Sequence, residues 1–147
     1  MKLQIRPEMV KEIAGQLDMG FKCFYNIKTC ELEVIPDEVR LPGYDDEPWQ
    51  ESIDKVDQNP DDYLCFAGMD SSESFRLMEN FINEIPVSRI QMRFEEVIQR
   101  KKPFQQFKYL LLDYPELRQQ WFEFKEQGMI IFVQDQIDVL NFDPDSE

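Results

Sequence analysis

The spacing of the apolar residues changes along this chain, and that change constrains the fold more than any other feature of the sequence. In residues 21–35, FKCFYNIKTCELEVI, apolar and polar residues alternate, which is typical of half-buried β-strands. From about residue 71 onward the apolar residues recur every three or four positions, which is typical of helices packed on one face. We therefore predict an α+β fold, with an N-terminal helix and a small antiparallel three-stranded sheet followed by a C-terminal helical bundle of about four helices.

The alternating segment predicts a β-hairpin. A two-residue loop at Lys28-Thr29 makes every cross-strand pair on one face apolar, as a half-buried hairpin requires. Because Lys-Thr is a poor two-residue turn, a longer loop is the alternative. A third strand is predicted at residues 63–67. The expected cross-strand pairs are Ile27–Cys30, Tyr25–Leu32 and Cys23–Val34.

Proline, glycine and one capping pattern predict where the helices begin and end. Pro7 suits the first turn of the first helix, and Gly20 follows its last apolar position. Residues 35–62 contain four prolines and many acids, which favours an irregular connection with one short helix from Pro48 to about Asp57. The later helices are predicted from the Asp70–Glu73 capping box, from the stripe Ile90, Phe94, Val97 and Ile98, from the stripe Phe104, Phe107, Leu111 and Tyr114 after the break at Lys101-Lys102-Pro103, and from Pro115 as a first helical residue.

A length of 147 residues is typical of one domain with its own hydrophobic core. We predict a single domain over residues 1–147, in which residues of about 1–70 form the mixed helix and sheet part and residues of about 71–142 form the helical part.

The chain contains no histidine, which argues against an enzyme. Histidine is the usual general base near neutral pH and the commonest transition-metal ligand. Carboxylate, lysine or tyrosine chemistry stays open, but no catalytic motif and no glycine-rich phosphate loop is present. The acidic runs at residues 45–47, 61–62 and 143–147 lack the spacing or the glycine of a calcium loop. We predict no catalytic residues, no cofactor and no metal.

A cytoplasmic location is expected from the cysteines and from the N-terminal segment. Cys23, Cys30 and Cys65 form no CxxC pair and leave one thiol over in any disulfide scheme, which suits a reducing compartment. MKLQIRPEMVKEIAG has no apolar signal region, and no window approaches the roughly 18 apolar residues of a membrane span.

The net charge of −14 argues against direct binding to nucleic acid and to membranes. The charge is unevenly distributed: residues 76–125 hold nine basic and seven acidic residues, a net of +2, so the remainder carries −16. A helix-turn-helix at residues 104–113 and 115 onward is disfavoured, because its second helix would present Glu116, Glu123 and Glu126 to DNA.

A helical wheel from Pro115 predicts two buried apolar faces with a basic seam between them. Arg118 and Lys125 fall in this seam beside Trp121, and Lys108 belongs to the preceding helix. One interpretation is a binding site for an anionic group or for an acidic side chain of a partner. The other is structural, since long basic side chains often cover apolar surface and reach water with their charged ends. The two predicted faces are Leu117, Trp121, Phe124, Gly128, Ile131 and Phe132 on one side, and Phe122, Met129, Val133, Ile137 and Leu140 on the other.

The aromatic pattern of the helical half resembles a set of bacterial proteins, the uncharacterised protein family 0158. The resemblance rests on Phe104-x-x-Phe107-Lys108-x-x-Leu111 and on Pro115-Glu-Leu117-Arg118-x-x-Trp121-Phe122-x-Phe124, and it extends back through MENFI at residues 78–82 to Ser71-Ser72 and Tyr63-Leu64. It implies a fold and a bacterial, cytoplasmic setting. It implies no reaction, because the family has no established activity.

Three functional hypotheses follow. The first is a noncatalytic module that binds another protein. The second is a protein or enzyme that holds a small anionic ligand with Lys108, Arg118 and Lys125. The third is an acidic nucleic-acid mimic that uses the exposed acids of residues 45–61. The candidate ligand- or partner-binding residues are Lys108, Arg118, Trp121 and Lys125, and the oligomeric state is not predicted.

Overall fold

The computed structural model describes residues 3–141 and confirms the α+β class. Short 3-10 turns lie at Glu47–Trp49 and Pro60–Asp62. The predicted irregular connection therefore contains one α-helix, slightly later than expected, with a 3-10 turn on each side. In chain order the helices and strands are α1 Pro7–Asp18, β1 Phe21–Asn26, β2 Leu32–Pro36, α2 Gln50–Gln58, β3 Tyr63–Phe66, α3 Ser71–Asn83, α4 Ser88–Val97, α5 Pro103–Leu111 and α6 Pro115–Leu140.

Helix α1 begins and ends as predicted. Pro7 occupies the first turn, where its missing N–H costs no hydrogen bond, and Glu8 lies near the positive end of the helix dipole. Gly20 has a φ of 101°, which other residues rarely adopt, so the chain turns there into β1. The residues that α1 buries are Val10, Ile13, Ala14 and Leu17.

The sheet has the order β2-β1-β3, and both strand pairs are antiparallel. The predicted Tyr25–Leu32 and Cys23–Val34 pairs are confirmed. The third predicted pair is wrong, because the ladder ends before Ile27 and Cys30.

The hairpin loop is longer than two residues. The Cys30 amide donates to the carbonyl of Asn26, and Cys30 has a φ of 65°. The Asn26 side chain accepts from the amides of Lys28 and Thr29 at 2.8 and 3.0 Å. Ile27 instead donates its amide to the carbonyl of Asp62 beside β3. Lys-Thr lacks the left-handed preference that a two-residue turn requires, and the Asn side chain stabilises this wider loop.

The described chain forms two compact units, which we call the sheet unit and the helical unit. The sheet unit contains residues up to Gly68 and those from Met129 onward, and the helical unit is Met69–Gly128. Helix α6 therefore contributes its first part to the helical unit and its second part to the sheet unit. Whether the chain behaves as the single predicted domain stays a prediction.

The sheet unit joins segments from both ends of the described chain. The Leu3 amide donates to the side-chain carbonyl of Asn141 at 2.7 Å, and the Asn141 amide donates back to the Leu3 carbonyl at 2.8 Å. Lys55 of α2 lies 3.5 Å from the buried carboxylate of Glu33 in β2, and this carboxylate raises the pKa of Lys55. The buried apolar residues of this unit are Val10, Ile13, Ala14, Leu17, Cys23, Tyr25, Ile35, Phe66, Met129, Val133 and Ile137.

The helical unit has an aromatic core. The predicted capping box is present: the Glu73 amide donates to the Asp70 carboxylate at 2.8 Å, and the Asp70 amide donates to Glu73 at 3.1 Å. These hydrogen bonds satisfy two backbone donors at the start of α3. The ring of Phe107 lies within 5.0–6.2 Å of the rings of Phe81, Phe94 and Trp121, edge to face. The buried core is Met78, Phe81, Ile82, Ile85, Phe94, Ile98, Phe107, Leu110, Leu111 and Trp121.

Candidate functional site

A groove lies between α5 and the first part of α6, inside the helical unit. Its volume is about 680 Å³, within the usual size of ligand sites. The α6 residues that line it are spaced by three or four positions, so they share one side of that helix. The lining residues are Phe104, Gln105, Lys108, Tyr109, Leu111, Leu112, Arg118, Trp121, Phe122 and Lys125.

The structure brings all four candidate residues, Lys108, Arg118, Trp121 and Lys125, to this groove. Their role as a binding site stays a prediction, because a shared groove does not by itself show a ligand. It does show that the predicted seam is a concave surface with room for an occupant.

Trp121 forms part of the floor of the groove rather than an open stacking platform. It is 8 % exposed, and its ring lies 5.3 Å from that of Phe81 and 5.0 Å from that of Phe107. Leu111 lies beside it with 2 % exposure. The floor is therefore the outer surface of the core, and an occupant would contact a rigid apolar base.

Basic side chains come from both walls of the groove. Lys108 on α5 and Arg118 on α6 are exposed, and Lys125 is half-buried. The Arg118 guanidinium lies 4.8 Å from the centroid of the Phe122 ring, a cation–π contact that orients the charge. Within residues 3–141, neither Lys108 nor Arg118 has an ion-pair partner.

No carboxylate is among the ten residues that line this groove. A second groove of about 310 Å³, beside α3 and α6, has Glu84 and Glu123 in its lining and no basic residue. A third surface depression mixes Arg93 and Arg100 with acidic residues. The lining of the α5–α6 groove therefore contains three basic residues and no acidic residue, although the protein as a whole is strongly acidic.

Sequence reasoning missed four large apolar side chains at this site. Between 37 % and 63 % of each is exposed, although each has apolar surface that water does not favour. The sequence placed Phe104 on an apolar stripe of its helix and Phe122 on a buried face of the next one, whereas both side chains are exposed. One signal was available in the sequence: α5 holds more apolar residues than one buried face of a nine-residue helix accommodates. The four residues are Phe104, Tyr109, Leu112 and Phe122.

The other predicted features lie outside the groove. Arg100, which directly precedes the break at Lys101-Lys102-Pro103, pairs with Glu96 of α4 at 3.1 Å. Residues 3–141 hold no group of three or more Cys, Asp or Glu side chains placed to bind a metal ion. The acidic segment 143–147 lies outside the described residues. The six acids considered for a nucleic-acid mimic are all exposed: Asp45, Asp46, Glu51, Asp54, Asp57 and Asp61.

None of the described helices is both long enough and apolar enough to cross a membrane. The described cysteines carry no disulfide: Cys23 is buried, and Cys30 and Cys65 are exposed.

Comparison with known proteins identifies a family. The model of an uncharacterised protein family, UPF0158, matches residues 43–146, which include both helices of the groove. A UPF0158 protein of Pseudomonas aeruginosa is 27 % identical over 74 residues, which are 50 % of this chain and 48 % of that protein. The match thus spans about half the length of this curated relative. No solved structure matches the chain significantly. The resemblance inferred from the aromatic pattern is confirmed, and the chain belongs to the uncharacterised family UPF0158.

Proposed function

We propose that this protein is a noncatalytic protein-binding module of the bacterial cytoplasm, and that its α5–α6 groove binds a segment of another protein. The observation that supports this proposal most directly is the clustering of exposed apolar residues. Phe104, Tyr109, Leu112 and Phe122 line one groove, and exposed apolar clusters of this kind mark interaction sites.

The composition of the groove also supports a macromolecular partner. Interface centres are enriched in aromatic residues and arginine, and this groove combines both over a rigid floor. On the α5 wall, exposed apolar side chains come before and after Lys108, and on the α6 wall Phe122 lies between Arg118 and Lys125. A small anion would use only those basic groups, so it would leave the exposed apolar rim without a role.

Peptide selection tests this proposal. Random peptides are selected on the full chain, and their dissociation constants are then measured for the wild type and for Leu112→Ala and Phe122→Ala. We expect each groove substitution to weaken binding by at least about tenfold, as truncation of a central interface residue does.

Met92→Ala is the matched control, because Met92 is a large apolar residue of the same unit that is at least as exposed as Leu112 and Phe122 but does not line the groove. It should leave the dissociation constants unchanged. If no peptide is selected, or if the selected peptides bind the groove variants as well as the wild type, the proposal is wrong.

The second candidate is a small anionic ligand held by Lys108, Arg118 and Lys125. It is supported by the same volume of about 680 Å³ and by the absence of carboxylates from the lining. A nucleotide and metabolite panel tests it by thermal shift. A ligand of this site should raise the Tm of the wild type and should lose that effect in Lys108→Gln/Arg118→Gln. A panel without any shift that depends on these residues would reject this candidate.

A further inference from the structure

We infer that the segment bound in the α5–α6 groove is an acidic amphipathic helix, whose apolar side lies on the groove floor and whose flanking carboxylates face Lys108, Arg118 and Lys125. This inference rests on the proposed function and specifies the partner for the same site. Three features of the groove support it: the shape of its walls, the hydrogen-bonding groups it lacks and the placement of its charges.

The shape matches a helix in length. The lining runs from Phe104 to Leu112 on one wall and from Arg118 to Lys125 on the other. At about 1.5 Å per residue these walls are roughly 12 and 10 Å long, about two helical turns. A channel between two packed helices accepts the side chains of a third helix at the usual spacing of helix pairs.

The hydrogen-bonding groups disfavour an extended segment. Both walls are helices whose backbone N–H and C=O groups bond within the helix, so they offer no strand ladder. An extended peptide on this floor would bury its own backbone groups beside Trp121 and Leu111 without partners, which is costly. A helix satisfies its backbone internally and presents only side chains, so it avoids that cost.

The charges are placed for carboxylates on both flanks of the occupant. Lys108 lies on the α5 wall, and Arg118 and Lys125 lie on the α6 wall. On an amphipathic helix, the residues beside the apolar stripe lie next to the groove rims. Glutamate or aspartate at those positions would meet a basic group on either side, while basic residues there would be repelled.

Salt dependence is a poor measure of these contacts in this protein. The chain carries −14 overall, so an acidic partner is repelled at long range even where the local charges attract it. Added salt weakens both effects and their sum has no fixed sign. Paired charge reversal isolates the local contact and is therefore the appropriate experiment.

The probe is a set of four displayed libraries of peptides of about 14 residues, roughly four helical turns. Three have apolar residues at helical spacing, with the flanking positions acidic, amide or basic. The fourth has alternating apolar residues and acidic flanks. Each library is selected on the wild-type chain and on Lys108→Glu/Arg118→Glu, with the far-UV spectrum and the Tm showing that each variant is folded.

We expect the wild type to enrich the acidic helical library and the charge-reversed variant to enrich the basic one. Changing the flanking Glu residues of a selected peptide to Gln should weaken its binding to the wild type at least about tenfold. Arg76→Glu/Arg89→Glu is the matched control: both residues are exposed in the helical unit and outside the groove, and the net charge changes equally. This control variant should enrich the acidic helical library, as the wild type does.

Failure of this inference is distinguishable from failure of the proposed function. Selected peptides that need Leu112 and Phe122 but show no preference for acidic flanks would overturn the charge assignment and leave the proposed function standing. Enrichment of the alternating library would show that the bound segment is extended rather than helical, and would also leave the proposed function standing. If no library yields a peptide that depends on Leu112 and Phe122, both the inference and the proposed function are wrong.

Discussion

At the scale of single residues, the aromatic side chains of one short region divide into two groups with different roles. Phe107 is 2 % exposed inside a network of rings, whereas Phe122, one residue after the buried Trp121, lies on the surface. Residue type alone does not separate them, since both are phenylalanines in α-helices. The difference arises from which side of each helix has a neighbour.

Substitution of these two phenylalanines tests that division. Phe107→Ala should lower the free energy of unfolding by about 3–5 kcal/mol, because it leaves a cavity among packed rings. Phe122→Ala should lower it by less than about 1 kcal/mol, because nearly half of that residue is already exposed to water. Urea unfolding monitored by circular dichroism measures both. Equal losses would place Phe122 in the core and remove the main support for a docking groove.

Cys23 should differ from the other cysteines in reactivity and in its effect on alkaline stability. Burial raises the pKa of the Cys23 thiol to about 12. Burial also raises the pKa of the Cys65 thiol, but Cys65, like Cys30, is exposed and can be reached by a reagent. A thiol reagent at mildly alkaline pH should therefore modify Cys30 and Cys65 first, and Cys23 only when the protein unfolds.

The same pKa has a consequence for stability. Between pH 9.0, the ordinary pKa of a cysteine thiol, and about pH 12, the unfolded chain loses the Cys23 proton and the folded chain keeps it. The contribution of this thiol to stability is therefore complete below pH 9 and is lost as the pH rises through that interval. Cys23→Ala should make the decrease in Tm above pH 9 less steep. If the Tm of Cys23→Ala falls as steeply above pH 9 as that of the wild type, the raised pKa assigned to Cys23 is wrong.

At the scale of elements, the helix ends were the most predictable part of the fold. Pro7, Pro115 and the Asp70–Glu73 capping box act through local geometry, so the sequence contains what they need. The hairpin register was predictable because the apolar alternation and a turn near Lys28-Thr29 together pair the apolar residues on a single face. The conformation of the hairpin loop was not predictable. It depends on hydrogen bonds to the Asn26 side chain and on the bond from the Ile27 amide to the distant Asp62 carbonyl.

Burial along helix α6 could not be predicted correctly from a single helical wheel. One wheel for all 26 residues assumed one set of neighbours, whereas the parts before and after Gly128 belong to different units. The first part therefore buries Trp121 and partly buries Leu117, while the second part buries Val133 and Ile137. The predicted burial of Phe122, Ile131 and Leu140 is wrong. The seam residues were still grouped correctly, because Arg118, Trp121 and Lys125 are close enough in sequence for the helical period alone to place them on one side.

Two glycines near the end of α1 make a prediction about this element. Gly15 is exposed within the helix, and a Cβ added there would have no atom within 4 Å. Gly15→Ala should raise the free energy of unfolding by about 0.5–1 kcal/mol, because alanine restricts the unfolded chain and favours helix.

Gly20→Ala is the opposite case. A Cβ at Gly20 would lie 3.1 Å from Leu41 Cγ, and the φ of 101° is unfavourable for alanine. We expect a loss of about 1–3 kcal/mol. Denaturant titration of the two variants in parallel checks both signs, and a stabilising Gly20→Ala would show that α1 does not end as described.

At the scale of the whole molecule, the dominant feature is the unequal distribution of charge. Residues 76–125 are close to neutral, and the remaining residues carry −16. Repulsion among those acids opposes the compact state, while the proposed groove lies in the near-neutral segment. Stability and recognition therefore depend on different parts of the charge distribution.

Added salt should therefore stabilise the protein. Raising NaCl from about 20 to about 300 mM shortens the screening length and should raise the Tm by roughly 2–5 °C. Asp57→Asn/Asp61→Asn, at two exposed acids of the sheet unit, should reduce this dependence. Differential scanning calorimetry measures both series. A Tm that does not change with salt, or falls, would contradict the role assigned to the acidic residues.

The hydrogen bonds between Leu3 and Asn141 have a consequence for how the chain is made. These partners are separated by 138 positions, so at about 5–20 residues per second they emerge from the ribosome roughly 7–28 s apart. All of the helical unit is synthesised during that interval, whereas the sheet unit still lacks the segment from Met129 onward. We therefore expect the helical unit to fold before the sheet unit on the ribosome. During that interval the nascent strands would keep apolar surface uncovered and accessible to chaperones.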